Sequence, residues 1–200
     1  MHKDFPEKTI RRVSNIHPIR RATPAFIERR DILFVGNFRH PPNHDGLQWF
    51  LETAWPLIHA KRPDIALNVV GASAPESLIR MSEHMNVCFQ DHVPDIEKYI
   101  DKMRINIAPL RYGAGAKGKI SQALASGLPT IATTVASDGM RLSDNESTLL
   151  ADDTEAFANA VLALYEDESL WNKLSKNGYD IAATFYSELA VAQEIKSMLA

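Results

Sequence analysis

The stretch Ile105-Asn-Ile-Ala-Pro-Leu-Arg-Tyr-Gly-Ala-Gly-Ala-Lys-Gly-Lys-Ile-Ser-Gln-Ala-Leu-Ala-Ser-Gly-Leu-Pro129 joins a short apolar run to a helical pattern through a glycine-rich, lysine-bearing loop. Ile105–Ala108 reads as a buried strand, and Gly113, Gly115 and Gly118 let the backbone approach a ligand with no Cβ in the way. The helix that begins near Lys117 leaves its first amides unpaired, and its dipole adds partial positive charge where they point. Lys117 and Lys119 put full charges at the same place. Together these make a phosphate site. The same residues also suit a plain strand-to-helix turn with solvated lysines, so the surrounding chain has to decide between the two.

At 200 residues and 45% hydrophobic, the chain can build one domain of ordinary size with a full core. Its formal net charge of −3 gives no global electrostatic reason to seek nucleic acid or an anionic membrane, so any anion site is local. The single cysteine, Cys88, excludes an internal disulfide, and its place in Val87-Cys-Phe89 predicts a buried, inert thiol in a reducing compartment. No apolar run approaches the ~18 residues of a membrane span, and Met-His-Lys-Asp-Phe-Pro lacks the apolar core of a signal peptide. We expect a cytoplasmic protein with no nucleic-acid partner and no integral membrane segment, with a peripheral place at the inner membrane face left open.

Residues 1–30 carry Pro6, Pro18 and Pro24 and the runs Arg11-Arg12, Arg20-Arg21 and Arg29-Arg30, and read as a linker whose arginines form a solvated tether. From Ile32 onward, apolar runs alternate with amphipathic segments of helical period, the pattern of a parallel sheet. The expected strands are 32–35, 66–70, 87–89, 105–108, 130–132 and 148–150. Helices are expected near 45–60, 75–84, 95–102, 117–127 and 153–166. Each crossover is long enough for a right-handed unit, which predicts an α/β fold: a three-layer parallel sheet of about six strands with helices on both faces. The loops 36–45, 71–75, 90–95, 110–119 and 133–139 would then follow strands and face one crevice. After Asp153 the chain turns helical, with Phe157, Val161, Leu164 and Tyr165, then Leu170, Trp171, Leu174 and Tyr179, as core faces. Residues 31–185 form the expected domain and 186–200 a carboxyl-terminal helix.

Val35-Gly-Asn-Phe-Arg-His-Pro-Pro-Asn-His-Asp-Gly46, Val70-Gly71, the Gly-Ala-Gly-Ala-Lys-Gly-Lys loop with Gln122-Ala-Leu-Ala-Ser-Gly-Leu-Pro-Thr-Ile-Ala-Thr133, Asp138-Gly139 and Leu150-Ala-Asp-Asp153 occur in this order over more than 150 residues. In order and spacing, from about Ser14 to Phe185, they resemble the carboxyl-terminal half of a group 1 glycosyltransferase of the GT-B fold. That resemblance implies a Rossmann-like domain that binds a nucleotide-sugar. The sugar would pass, with retention, to a hydroxyl on a glycan, lipid or other acceptor. It implies no cofactor beyond the donor, and an amino-terminal acceptor domain missing from this chain, with Val13-Ser-Asn-Ile-His-Pro18 resembling the linker from it.

The resemblance also implies roles and exposes departures. Gly36 closes the first strand, and Asn37 and Asp45 stand where the family commonly has an arginine and a lysine on the diphosphate; Arg39 and His40 are candidates to compensate. Ala114 and Gln122 replace two glutamates, of which the second normally accepts from the ribose hydroxyls; an amide oxygen can still accept. Lys117, Lys119 and the amides at Gly118 would carry more of the phosphate binding, with Gly115 beside them and Arg111 as a third cation. Gly71 lets the second strand approach the nucleotide, His92 and Val93 lie in the loop whose backbone meets the base, and Asp138 lies near the ribose or sugar; for Gly71, His92 and Asp138 a purely structural role stays open. His40 and His44, four apart, do not predict zinc because Pro41 and Pro42 interrupt a helix there. A non-catalytic binding domain on a decayed transferase fold is the alternative. A dinucleotide oxidoreductase is disfavoured, since the first strand leads into Gly-Asn-Phe-Arg-His rather than Gly-x-Gly-x-x-Gly.

Overall fold

Apolar, β-branched runs bounded by turn residues form the sheet, and both of its faces are buried by the helical segments between them. The computed structural model describes residues 15–20, 23–115 and 117–199; the Arg11-Arg12 run, Val13-Ser14, Arg21 and Ala116 lie outside them. The elements in chain order are β1 (Arg30–Val35), α1 (Pro41–Trp49), α2 (Trp55–Lys61), β2 (Leu67–Val70), α3 (Glu76–Met81), β3 (Val87–Gln90), α4 (Ile96–Ile100), β4 (Met103–Ala108), α5 (Gly118–Ala125), β5 (Thr130–Ala132), α6 (Thr134–Ser137), β6 (Leu149–Leu150), α7 (Thr154–Glu166), α8 (Glu168–Phe185) and α9 (Glu188–Leu199).

All six expected strands are present and pair in the order β3-β2-β1-β4-β5-β6, every neighbour parallel. The central register sets Ile32 beside both Leu67 and Ile105. Side chains alternate as the pleat requires: Ile32 and Phe34 join Leu47, Phe50 and Phe157 on one face, whereas Leu33 joins Ile100 and Ala123 on the other. This is the α/β, Rossmann-like, three-layer architecture. The strand order reverses between β1 and β4, and their carboxyl ends open onto the crevice where such folds bind ligands. Among the described residues, no helix is long and apolar enough to cross a membrane.

Two closely packed glycine positions hold the crevice floor together. A Cβ on Gly71 would come within 1.8 Å of the Gly36 carbonyl oxygen, so the end of β2 lies directly on the end of β1. Gly71→Ala must push the two loops apart. We expect a loss of ~2–3 kcal/mol and a thermal midpoint lower by about 5–10 °C, read by calorimetry.

Several expectations need correction. Pro41 and Pro42 do not interrupt a helix; they are its first two residues, where the missing N–H costs nothing, with His40 at the N-cap. Helix α1 therefore starts four residues before the expected 45, and runs through a π-helical stretch, Phe50–Ala54, into α2. Cys88 is exposed, not buried: β3 is the edge strand, with no residue of its span fully buried. The arginines before β1 are not a solvated tether throughout. Arg29 has no solvent exposure and donates to the carbonyls of Pro24 (3.1 Å), Ile100 (3.1 Å), Met103 (3.2 Å) and Ser126 (2.9 Å). Burial pushes its pKa down to about 10, which leaves the guanidinium charged at neutral pH. Arg20 pairs with Asp101, and the His17 amide donates to the Tyr186 carbonyl at 2.9 Å, so the segment before β1 is laid against α4, α5 and the end of α8.

Candidate functional site

The loop after β4 climbs from Pro109 to Lys117 and delivers the chain into α5. Gly113 and Gly115 take φ values of 120° and 91°, a region that side chains with a Cβ rarely adopt, and a Cβ at Gly115 would meet nothing within 4 Å. The loop therefore turns under open space. Lys117 is the N-cap residue of α5 and offers no side-chain oxygen to the helix. The first amides of α5, at Gly118 and Lys119, accordingly have no hydrogen-bond partner among the described residues, the arrangement that favours an anion.

Two lysines flank those amides. Lys117 is only 7% exposed and forms no ion pair or hydrogen bond among the described residues. Lys119 reaches back toward β1, where its Nζ donates to Asn43 Oδ1 at 2.6 Å and lies 4.6 Å from the centre of the Phe34 ring. Among the described residues no carboxylate pairs with it, and burial pushes its pKa down to about 7. Two lysines without a carboxylate partner among the described residues, set at a helix amino terminus, suit an anion.

Arg111 is placed differently. Its guanidinium grips Asp45 in a bidentate pair, Nε to Oδ2 at 2.9 Å and Nη2 to Oδ1 at 2.5 Å. The expected third phosphate cation is thus already bound by a carboxylate, and the pair ties the glycine loop to the middle of α1. Asn37 shapes the neighbouring loop: its Oδ1 accepts the Arg39 amide at 2.9 Å and its carbonyl accepts Asn43 Nδ2 at 2.9 Å. Arg39 itself is exposed at the rim.

Residues 29–167 match the family described as glycosyl transferases group 1. The chain belongs to that family. A relative, an uncharacterized 44.6 kDa protein in the cps region of Klebsiella pneumoniae, is 25% identical over 173 residues, covering 82% of this chain and 45% of its own length. A TarM variant from S. aureus, solved with fondaparinux, alpha-GlcNAc-glycerol and UDP, superposes with a TM-score of 0.81 at 17% identity, over 98% of this chain and 40% of that one. The C-terminal domain of the LpcC group 1 glycosyl transferase from Francisella tularensis superposes with a TM-score of 0.67 at 21% identity, over 80% of this chain and 88% of that domain. This group 1 chain thus spans less than half the length of the first two and nearly all of the third.

The other expected residues of this glycosyl transferase chain surround the same crevice to varying degrees. Gly36 closes β1 directly beneath Asn43, whose Cγ would lie 2.9 Å from a Cβ there. Gln122 is half-buried one turn into α5, and Ala114 is exposed on the loop. His92 is exposed after β3, while Val93 packs partly into the core against Leu33 and Val70 and offers only its backbone. Asp138 caps the end of α6 and lines, with Gly113, Thr134 and Arg141, an open depression of about 500 Å³ beside the glycine loop. His40 and His44 belong to no group of three metal-ligating side chains among the described residues. Asn43 is the residue that the sequence reading missed. Its signal was available: with Pro41 and Pro42 starting a helix, the third position falls on the inner face of the first turn.

Proposed function

We propose that this chain is the nucleotide-sugar-binding unit of a glycosyltransferase that passes a sugar from a nucleoside diphosphate sugar to a hydroxyl acceptor. The observation that carries this reading is the pair Lys117 and Lys119, which have no carboxylate partner among the described residues, at the amino terminus of α5 where the strand order reverses. Positive charge held there would stabilise the diphosphate as it leaves, in a site that needs no reorganisation at the moment of reaction. Gln122 would accept from a ribose hydroxyl through its amide oxygen. No further cofactor is invoked. UDP is the first donor nucleotide to try, since the structurally similar TarM was solved with it.

The acceptor side of the reaction belongs, in this reading, to an amino-terminal domain outside the 200 residues, and the whole enzyme would work at the cytoplasmic face of a membrane or free in the cytoplasm. Closure of two domains over the donor excludes water and completes the site, and one open crevice does neither. Titration of the 200-residue chain with UDP by calorimetry should give a dissociation constant in the high micromolar range or weaker, about 4–5 kcal/mol, with no transfer to any glycan. The absence of heat with UDP, GDP, ADP and TDP sugars alike would favour a decayed, non-catalytic binding domain instead.

A further inference from the structure

The contact between α1 and α5 inside the crevice does more than pack. Asn43 is the third residue of α1 and 7% exposed. Its Nδ2 donates to the Asn37 carbonyl, which fixes Oδ1 as the atom that faces Lys119 Nζ. The seat exists because Gly36 lacks a side chain, and Phe34 closes the other side of the ammonium. An amide oxygen orients an amine without neutralising it, so two of the three ammonium N–H directions are left for a ligand. The charged and titratable groups on the surrounding elements are Arg39, His40 and His44 of the β1–α1 connection and α1, Asp45 and Arg111 holding each other, and Lys117. None of them acts on Lys119, which is shifted by burial alone.

We propose that Asn43 is a positioning residue for Lys119, and that a nucleoside diphosphate binds to this chain together with a proton that the Lys119 amine takes up from solvent. The inference rests on the donor-site reading and deepens it. An amine that has largely lost its proton above neutrality has to regain it before it can pair with a diphosphate, and the anion then holds that proton in place. The sign follows. Below about pH 7 the amine is already charged and binding takes up little; above it, each pH unit costs up to tenfold in affinity.

The test is calorimetry of the 200-residue chain with UDP from pH 7 to 9, in buffers of different ionisation enthalpy. The terminal phosphate of UDP loses its last proton near about pH 6 and contributes little there. We expect close to one proton taken up at pH 8.5 and an affinity that falls by roughly 50-fold across the range. Asn43→Asp puts a carboxylate on the amine, holding it charged and blocking the ligand; affinity at pH 7 should fall tenfold or more and the pH slope should flatten. A slope that survives in Asn43→Asp would trace to other groups and overturn the assignment. Binding by the parent with no proton uptake would overturn the inference while leaving the donor site intact, whereas no UDP binding at any pH removes both. A 13C-labelled lysine titration of the ligand-free chain gives an independent reading. One lysine should titrate near neutrality and move upward when inorganic pyrophosphate is added; all ten lysines titrating with midpoints near about 10.4 would refute it.

Discussion

Replacing Arg29 with alanine is expected to destabilise the fold by ~3–5 kcal/mol and to lower its thermal midpoint by about 10 °C or more. The side chain donates to four carbonyls from four places in the chain: the turn before β1, the end of α4, β4, and the end of α5. Truncation removes a donor from each of those oxygens, three of them at buried bonds, and also removes the guanidinium from beside the Trp171 ring, 5.6 Å away. Arg30→Ala, one residue on and exposed, should stay within about 0.5 kcal/mol of the parent by urea unfolding. Equal loss from both substitutions would mean that Arg29 contributes only generic packing.

The second large effect concerns binding. Lys117→Ala with Lys119→Ala removes both cations from the amino end of α5, each a charge-assisted contact of ~1.5–3 kcal/mol in the proposed complex. At pH 6.5, UDP affinity should fall at least tenfold and nearer a hundredfold. Neither side chain holds the fold by an ion pair, so the thermal midpoint should shift little by comparison. A double variant that titrates like the parent would move the phosphate site elsewhere on the chain.

Much of this architecture was legible because parallel strands buried on both faces announce themselves as short apolar runs. Thr130–Ala132 matched its expected bounds, and the other five strands differed by one or two residues at an end. The helical faces of Phe157, Val161 and Leu164 and of Trp171 and Leu174 are buried as expected. What was not legible depends on contacts distant in sequence. The exposure of Cys88 follows from β3 being an edge, and strand order is invisible to local periodicity. Arg29 looks like its neighbours in a basic, proline-bearing segment until its four acceptors, five to 97 residues away, are assembled around it. The candidate site divides in the same way. The glycine loop and both lysines stood out in the sequence, since a helix amino terminus is a local feature. The seat under Lys119 and the binding of Arg111 by Asp45 join residues 76 and 66 apart.

That last pair bears on how such a crevice can change over generations. Asp45 and Arg111 sit on opposite walls, one on α1 and the other on the glycine loop, and each is the other's counter-charge. A lysine introduced at 45 would face an arginine, and loss of Arg111 would leave a carboxylate beside a site that seeks anions. Only the second step puts an unbalanced carboxylate against an anion site, and it does so at little cost in stability because both groups are partly solvated. The two positions are therefore coupled in order: Asp45 has to change before Arg111 can be lost without setting a bare carboxylate against the site.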